Sequence, residues 1–284
     1  MKRPEDPTWD AVWRDPLNQE DWSYLSSVIL STLLSLLPAG LPRPLAATEM
    51  GCGSGRITLA LAERMPVTAV LLDESRVAVR RLAERLGSRP VARPGSLACV
   101  VRGDVFRPPL AAGAFDLAWN AGLLEHFGPT RQEEALAQMH RVLAPGGLLV
   151  TLNPYAGCLL HTLGKAFVER FVTYPYGEET PLRTLAPAAA RLGLSLSGAE
   201  FSVGFLVLFV GMWKRLALLP GLRWAGAIYR LLNGLFAAVC RRPGPERLIR
   251  RLDLVLSRLF GGYLLVTSIR KGVSHADTAH KSPR

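Results

Sequence analysis

The chain has 284 residues, 49% hydrophobic and 20% charged, with six Trp; this excludes disorder over most of its length and suits one large domain with a substantial insertion. Cys52, Cys99, Cys158 and Cys240 stand far apart without a Cys-x-x-Cys, which argues against a zinc ribbon or disulfide framework and for a reducing, cytoplasmic setting. The net charge of +11 is unevenly placed: residues 1–200 hold 20 Lys/Arg against 20 Asp/Glu, whereas residues 201–260 carry +8 on a strongly apolar background.

The first seven residues mix both charges and lead into no apolar core, so no secretory leader is expected. From Trp22 to Leu37 apolar residues recur at helical spacing, and Pro38-Ala39-Gly40 stops the run. Residues 1–44 therefore form an expected helical cap. A strand is predicted at Leu45–Glu49, a glycine turn at Gly51–Gly55, a helix at Ile57–Arg64, and a fully apolar strand at Val67–Leu72 ending on Asp73. A helix at Ser75–Leu86 and strands at Leu97–Arg102, Phe115–Trp119 and Leu148–Asn153 follow, with a helix at Arg131–Leu143 before the last of these. Short apolar strands alternating with helices, without hairpin spacing, imply parallel pairing with helices on both faces.

Beyond Asn153 the pattern predicts a connector rich in aromatics, a helix at Leu182–Leu192 and a strand at Leu194–Val203. Residues 204–260 read as an apolar, basic helical insertion containing Phe205–Trp213, Trp224–Leu232 and Pro245–Phe260. In the last of these Leu248, Leu252, Val255 and Leu259 line one face. Tyr263–Arg270 is predicted as the final strand (domain segment 261–271), with a disordered tail at 272–284. The expected fold is a doubly wound, Rossmann-like α/β domain (45–203 and 261–271) with a mostly parallel seven-stranded sheet interrupted by the insertion.

The chemistry gathers at predicted strand ends, where open α/β sheets bind ligands. Gly51, Gly53 and Gly55 permit a tight turn and close backbone approach. The residue three after Gly53 is Arg56, so the dinucleotide fingerprint Gly-x-Gly-x-x-Gly is broken, and no Gly-Lys-Ser/Thr phosphate loop is present. Glu49, Asp73 and Asp104 stand at three successive strand ends. Three acids around one cleft repel a pyrophosphate but suit a cationic, adenosine-containing ligand, and Asp73 is placed to accept from a ribose diol.

The chain resembles class I S-adenosylmethionine-dependent methyltransferases, and more narrowly the type-11 group of bacterial small-molecule enzymes. The resemblance rests on Thr48-Glu49-Met50-Gly51-Cys52-Gly53-Ser54-Gly55, Leu71-Leu72-Asp73-Glu74-Ser75 and Arg102-Gly103-Asp104-Val105. It continues through Ala114-Phe115-Asp116-Leu117, Leu123-Leu124-Glu125-His126-Phe127 and Arg141-Val142-Leu143-Ala144-Pro145-Gly146-Gly147. It implies that Glu49 and the turn Gly51, Cys52, Gly53 and Gly55 hold the methionine part of S-adenosylmethionine. It further implies that Asp73 binds the ribose, Asp104 the adenine amino group and Val105 the ring edge, with Asn120 on the floor beside the sulfonium. Glu49 replaces the commoner Asp. Glu74 competes as a ribose acid, although its side chain is expected on the other side of the strand.

Methyl transfer needs alignment and exclusion of water more than catalytic side chains. His126 is the candidate base, with the alternative that it caps or packs locally. Glu125, Tyr176 and Glu179 are candidates to face the acceptor. Glu125 and His126 alone do not make a metal site, and none is assigned. Asn153-Pro154-Tyr155 lacks a proline of the amino-methyltransferase signature and reads as a strand-end turn.

The arginines and tryptophans flanking apolar runs in 204–260 fit an interfacial helix, a lid over an apolar or anionic acceptor, or a homodimer contact. No run reaches the length of a bilayer span. Nucleic acid fits poorly, since phosphate-tracking surfaces do not need this much aliphatic area. The function expected is methyl transfer to a small-molecule acceptor with an apolar part. A cofactor-binding scaffold recruited through the insertion, and a nicotinamide oxidoreductase disfavoured by Arg56 and the three acids, are the alternatives.

Overall fold

The structure, a computed structural model, describes residues 9–14, 22–38, 44–168, 170–171 and 179–272. Seven strands form one sheet in the order β3-β2-β1-β4-β5-β7-β6. They are β1 (Leu45–Met50), β2 (Val67–Asp73), β3 (Leu97–Arg102), β4 (Phe115–Ala121), β5 (Leu143–Pro154), β6 (Phe201–Val203) and β7 (Leu264–Arg270). β1 to β5 run parallel, with Glu49 beside both Leu71 and Trp119; β7 inserts antiparallel between β5 and β6. The chain winds outward from β1 to β3, then returns to β4, so the strand order reverses between β1 and β4. A crevice at the carboxyl ends of those two strands follows from this reversal.

Helices α1 (Trp9–Arg14), α2 (Tyr24–Leu36), α3 (Arg56–Arg64), α4 (Arg76–Ser88), α5 (Pro129–Val142), α6 (Leu159–Val168) and α7 (Ala186–Arg191) accompany the sheet. α2 begins in a capping box: the Ser23 hydroxyl accepts from the Ser26 N–H, and the Ser26 hydroxyl accepts from the Ser23 N–H. Its apolar face (Leu30, Leu33) packs with Leu61 of α3 on one side of the sheet, while Leu136 and Met139 of α5 and Leu185 beside α7 cover the other. The two faces of β4 alternate accordingly: Leu117 and Trp119 point to the first core, Ala118 to the second.

Three helices separate β6 from β7: α8 (Phe205–Leu216), α9 (Ala225–Val239) and α10 (Pro243–Phe260). The strand predicted over Leu194–Val203 is shorter than expected. Only Phe201–Val203 joins the sheet, with an isolated bridge from Leu196 to Ile269 and Gly198 at φ +111° between them, where the chain leaves extended geometry. The disordered tail expected at 272–284 lies outside the described residues from 273 onward.

α10 turns polar residues inward and its apolar stripe outward. Asp253 and Ser257, both buried, turn inward and cap α8. Asp253 Oδ2 accepts from the Gly204 N–H at 2.7 Å, Asp253 Oδ1 from the Leu206 N–H at 2.9 Å, and Ser257 Oγ from the Phe205 N–H at 3.2 Å. Leu248, Leu252, Val255 and Leu259 consequently look outward, each 50–71% exposed.

Candidate cofactor and acceptor cleft

One cavity of about 750 Å³ runs from the carboxyl ends of β1, β2 and β4 to the wall formed by α6 and α8. Glu49, Gly51, Cys52, Asp73, Glu74, Asp104, Val105, Glu125, His126 and Glu179 all line it. Glu74, expected on the far side of its strand, is among them. Tyr176 lies outside the described residues.

The glycine turn is fixed from below and above. The N–H groups of Gly51 and Cys52 donate to the Leu72 carbonyl at 2.8 and 3.0 Å, and Gly55 (φ +62°) opens α3 in the left-handed region. Gly53 (φ +50°) donates its N–H to Asp73 Oδ2 at 2.7 Å. A Cβ on Gly53 would stand 2.1 Å from the Trp13 ring, so the absent side chain is what lets α1 close over the turn. α1 is secured there by Asp10, which accepts from the Ser75 hydroxyl at 2.7 Å, and by the Arg81 guanidinium on the Trp13 carbonyl. The Ser75 bond holds the Asp10 carboxyl below its ordinary range. Trp9 meets the His126 ring edge-on at 4.8 Å. Trp9, Asp10 and Trp13 had no sequence signal, because the first helix is short and carries no motif.

Asp73 is buried and accepts a second amide bond, from Ser75 at 2.9 Å; burial raises its carboxyl against the pull of these donors. Two amide bonds leave lone pairs on the carboxylate for a diol. Asp104 stands exposed at the rim with Oδ1 accepting from the Phe106 N–H at 2.9 Å, while Val105 is buried in the wall. Glu49 is buried as well. Thr58 donates its hydroxyl to Glu49 Oε2 at 2.6 Å and itself accepts from Trp119 Nε1 at 3.1 Å. Desolvation lifts the Glu49 carboxyl to about 8. A buried acid in this state gains from a positively charged ligand, so the residues present fit the cationic cofactor.

Asn120 corrects an expectation. Alternation along β4 turns its side chain away from the cleft, where it is fully buried and donates to Met139 Sδ of α5 at 3.2 Å. Ala121, Gly122 and Leu123 line the cleft in its place.

The turn carrying Glu125 and His126 is held by Asn153, whose Oδ1 accepts from the Leu124 N–H at 3.1 Å, and by Gln132, whose amide donates to the Leu124 and Phe127 carbonyls. Asn153 thus positions the turn from within β5. Glu125 Oε1 lies 4.0 Å from His126 Nε2, and the Thr180 N–H donates to the Glu125 carbonyl at 2.8 Å, bringing Glu179 alongside. Ligand atoms of Glu125, His126 and Glu179 gather within 4.8 Å of one another, which sets Glu179, named from the sequence only as an acceptor-facing candidate, beside the other two. Lys165 of α6 pairs with Glu179 at 3.4 Å. Burial lifts Glu125 to about 8, with Glu179 raising it further and Lys165 opposing.

These shifts predict a stability profile. Glu49 and Glu125 hold protons in the fold that they lose on unfolding, so their contribution falls as pH rises toward about 8. Buried neutral His161, pushed down to about 3, acts in the opposite sense only below its ordinary 6.5. Unfolding free energy from chemical denaturation should therefore decline between pH 6.5 and 8, at up to about 1.4 kcal/mol per pH unit for each carboxyl. A flat or rising curve in that window would contradict both burial assignments.

Comparison with known proteins agrees with this geometry. Residues 47–147 match a family model described as a methyltransferase domain. The chain is 29% identical over 140 residues to a malonyl-[acyl-carrier protein] O-methyltransferase of Geobacter sulfurreducens, covering 49% of each chain. It is 29% identical over 183 residues to a demethylmenaquinone methyltransferase of Thermus thermophilus, covering 60% of this chain and 80% of the relative. The chain spans about half the length of the first of these. Among solved structures, a geranyl diphosphate C-methyltransferase from Streptomyces coelicolor A3(2) shares the fold, with a TM-score of 0.56 over 95% of this chain and 83% of that one at 14% identity.

Proposed function

We propose that this chain, whose residues 47–147 form a class I S-adenosylmethionine-dependent methyltransferase domain, methylates a small-molecule acceptor with a substantial apolar part. S-adenosylmethionine supplies an electrophilic methyl group on a sulfonium. Glu49, Asp73 and Asp104 with the Gly51–Gly55 turn bind and orient it, and α1 helps exclude water. His126 takes the proton released by the acceptor, with the Glu125 carboxyl 4.0 Å from its Nε2.

The observation that carries the acceptor class is the composition of the cavity beyond His126. Leu160, Leu163, Phe167, Val207, Leu208 and Met212 line it there, a surface suited to hydrocarbon. The relatives above are named for malonyl-[acyl-carrier protein] and for demethylmenaquinone, which supports an acceptor with an acyl or isoprenoid-quinone-like part. Incubation with methyl-labelled cofactor and fractionated cell extract should place label in the organic-soluble fraction. Label confined to water-soluble products would overturn the apolar reading, and absence of label from every fraction would overturn turnover itself.

The outward stripe of α10 favours a second element of this reading, contact with an anionic membrane surface. Leu248, Leu252, Val255 and Leu259 are exposed beside Arg247, Arg250, Arg251 and Arg258, which joins apolar area to complementary charge. Among the described residues no helix is long and apolar enough to cross a membrane. The full chain should co-sediment with phosphatidylglycerol vesicles, less at high salt, and the triple change Leu248→Ser, Leu252→Ser, Leu259→Ser should weaken binding by about tenfold or more. Equal binding to neutral vesicles would remove the part played by the arginines, and a stable dimer whose formation the same triple change abolishes would replace the membrane with a second copy of the chain.

A further inference from the structure

Arg215, at the end of α8, lines the apolar part of the cavity. Its polar contacts are to a single residue: Nη2 stands 3.0 Å from His161 Nδ1, and Nη1 donates to the His161 carbonyl at 3.5 Å. Among the described residues no carboxylate lies within ion-pair distance of it. The nearby acid is already engaged, since Glu179 pairs with Lys165.

His161 is fully buried, with its ring 5.0 Å from that of Tyr263. Burial, then the charges of Arg215 and Lys165, keep it neutral, so its Nδ1 accepts from the guanidinium. A neutral imidazole fixes one edge of the guanidinium without cancelling its charge. Gly164 leaves the α6 wall bare beside it: a Cβ there would stand 3.9 Å from Arg215 Nη1. A part-buried, orientated guanidinium without a counter-charge, set among leucines and valines, lowers the cost of its desolvation by meeting an anion.

We infer that Arg215 is an anion anchor of the acceptor site, and that the acceptor is an amphiphile carrying a carboxylate or phosphate-type head group as well as its hydrocarbon part. The inference rests on the apolar-acceptor reading above and names the substrate class more narrowly. His161 acts as a positioning residue through Arg215.

The test is calorimetric titration of the full chain, preloaded with S-adenosylhomocysteine, with dodecanoate, dodecyl phosphate and dodecanol below their aggregation concentrations. The wild-type protein should bind one or both anions about 10- to 100-fold more tightly than dodecanol, and the tighter anion identifies the head-group chemistry. Arg215→Gln should shrink that preference to within about threefold while leaving dodecanol affinity in place, and Arg215→Lys should retain part of it. A wild-type protein without preference for either anion overturns the inference, and this comparison requires no variant to fold. So does a preference that survives in Arg215→Gln, or one that is lost in Lys214→Gln alone, which changes only the neighbouring cation that also lines the cavity and lies over the Tyr229 ring. Failure of dodecanol and both anions to bind a protein that still takes S-adenosylhomocysteine would instead remove the apolar-acceptor reading, and the inference with it.

Discussion

Asp73→Ala should weaken S-adenosylmethionine binding by about 10- to 100-fold in a calorimetric titration. That range corresponds to the ~1.5–3 kcal/mol that hydrogen bonds to a charged group contribute. The carboxylate joins two parts of the site: its Oδ2 holds the Gly53 N–H of the glycine turn and its Oδ1 the Ser75 N–H at the start of α4. Its removal orphans two amides while taking the diol acceptor from a buried position. Asp73→Asn preserves the shape and should recover only part of the affinity, because the amide offers one acceptor oxygen where the carboxylate offers two. Asp104→Ala should cost less, since Asp104 is exposed at the rim and water can replace it. A dissociation constant unchanged in Asp73→Ala would refute the ribose assignment.

The sheet was legible because its strands are short apolar runs punctuated by glycine and proline, and because a parallel strand buried on both faces needs such a run. The acids at the strand ends were legible for a related reason: the residue ending each run must face the crevice or the loop above it. What failed was the direction of single side chains. Asn120, expected just past β4, lies within it, and the pleat sends it toward Met139. In α10 hydrophobic periodicity located the helix and its stripe, but it held no signal that Asp253 and Ser257 turn inward with Ile249 and Leu254, where the two polar side chains satisfy the free N–H groups opening α8. Contacts between elements distant in sequence carried no local signal at all. Trp13 over Gly53, Lys165 beside Glu179, and Arg215 on His161 depend on packing of α1, α6 and α8, which no spacing rule encodes.

The largest kinetic effect is expected at the turn after β4. His126→Ala should lower kcat by about 10²- to 10⁴-fold, the range for loss of a general base, on the acceptor that the labelling experiment returns. Cofactor affinity should change little, which separates a catalytic loss from a collapsed cleft. The pH dependence identifies Glu125. Its carboxyl, lifted to about 8 by burial, is neutral through pH 7 and becomes negative as pH rises. A negative charge 4.0 Å from His126 Nε2 strengthens the imidazole as a base and stabilises its protonated form, so activity should climb with pH and level off above about 8. Glu125→Gln should remove this climb. Lys165→Met should move it to higher pH, because Lys165 is the cation that favours the ionised carboxyl. A profile with its rising limb in the same place in both variants would show that Glu125 has no part in the proton transfer, leaving His126 to act on its own.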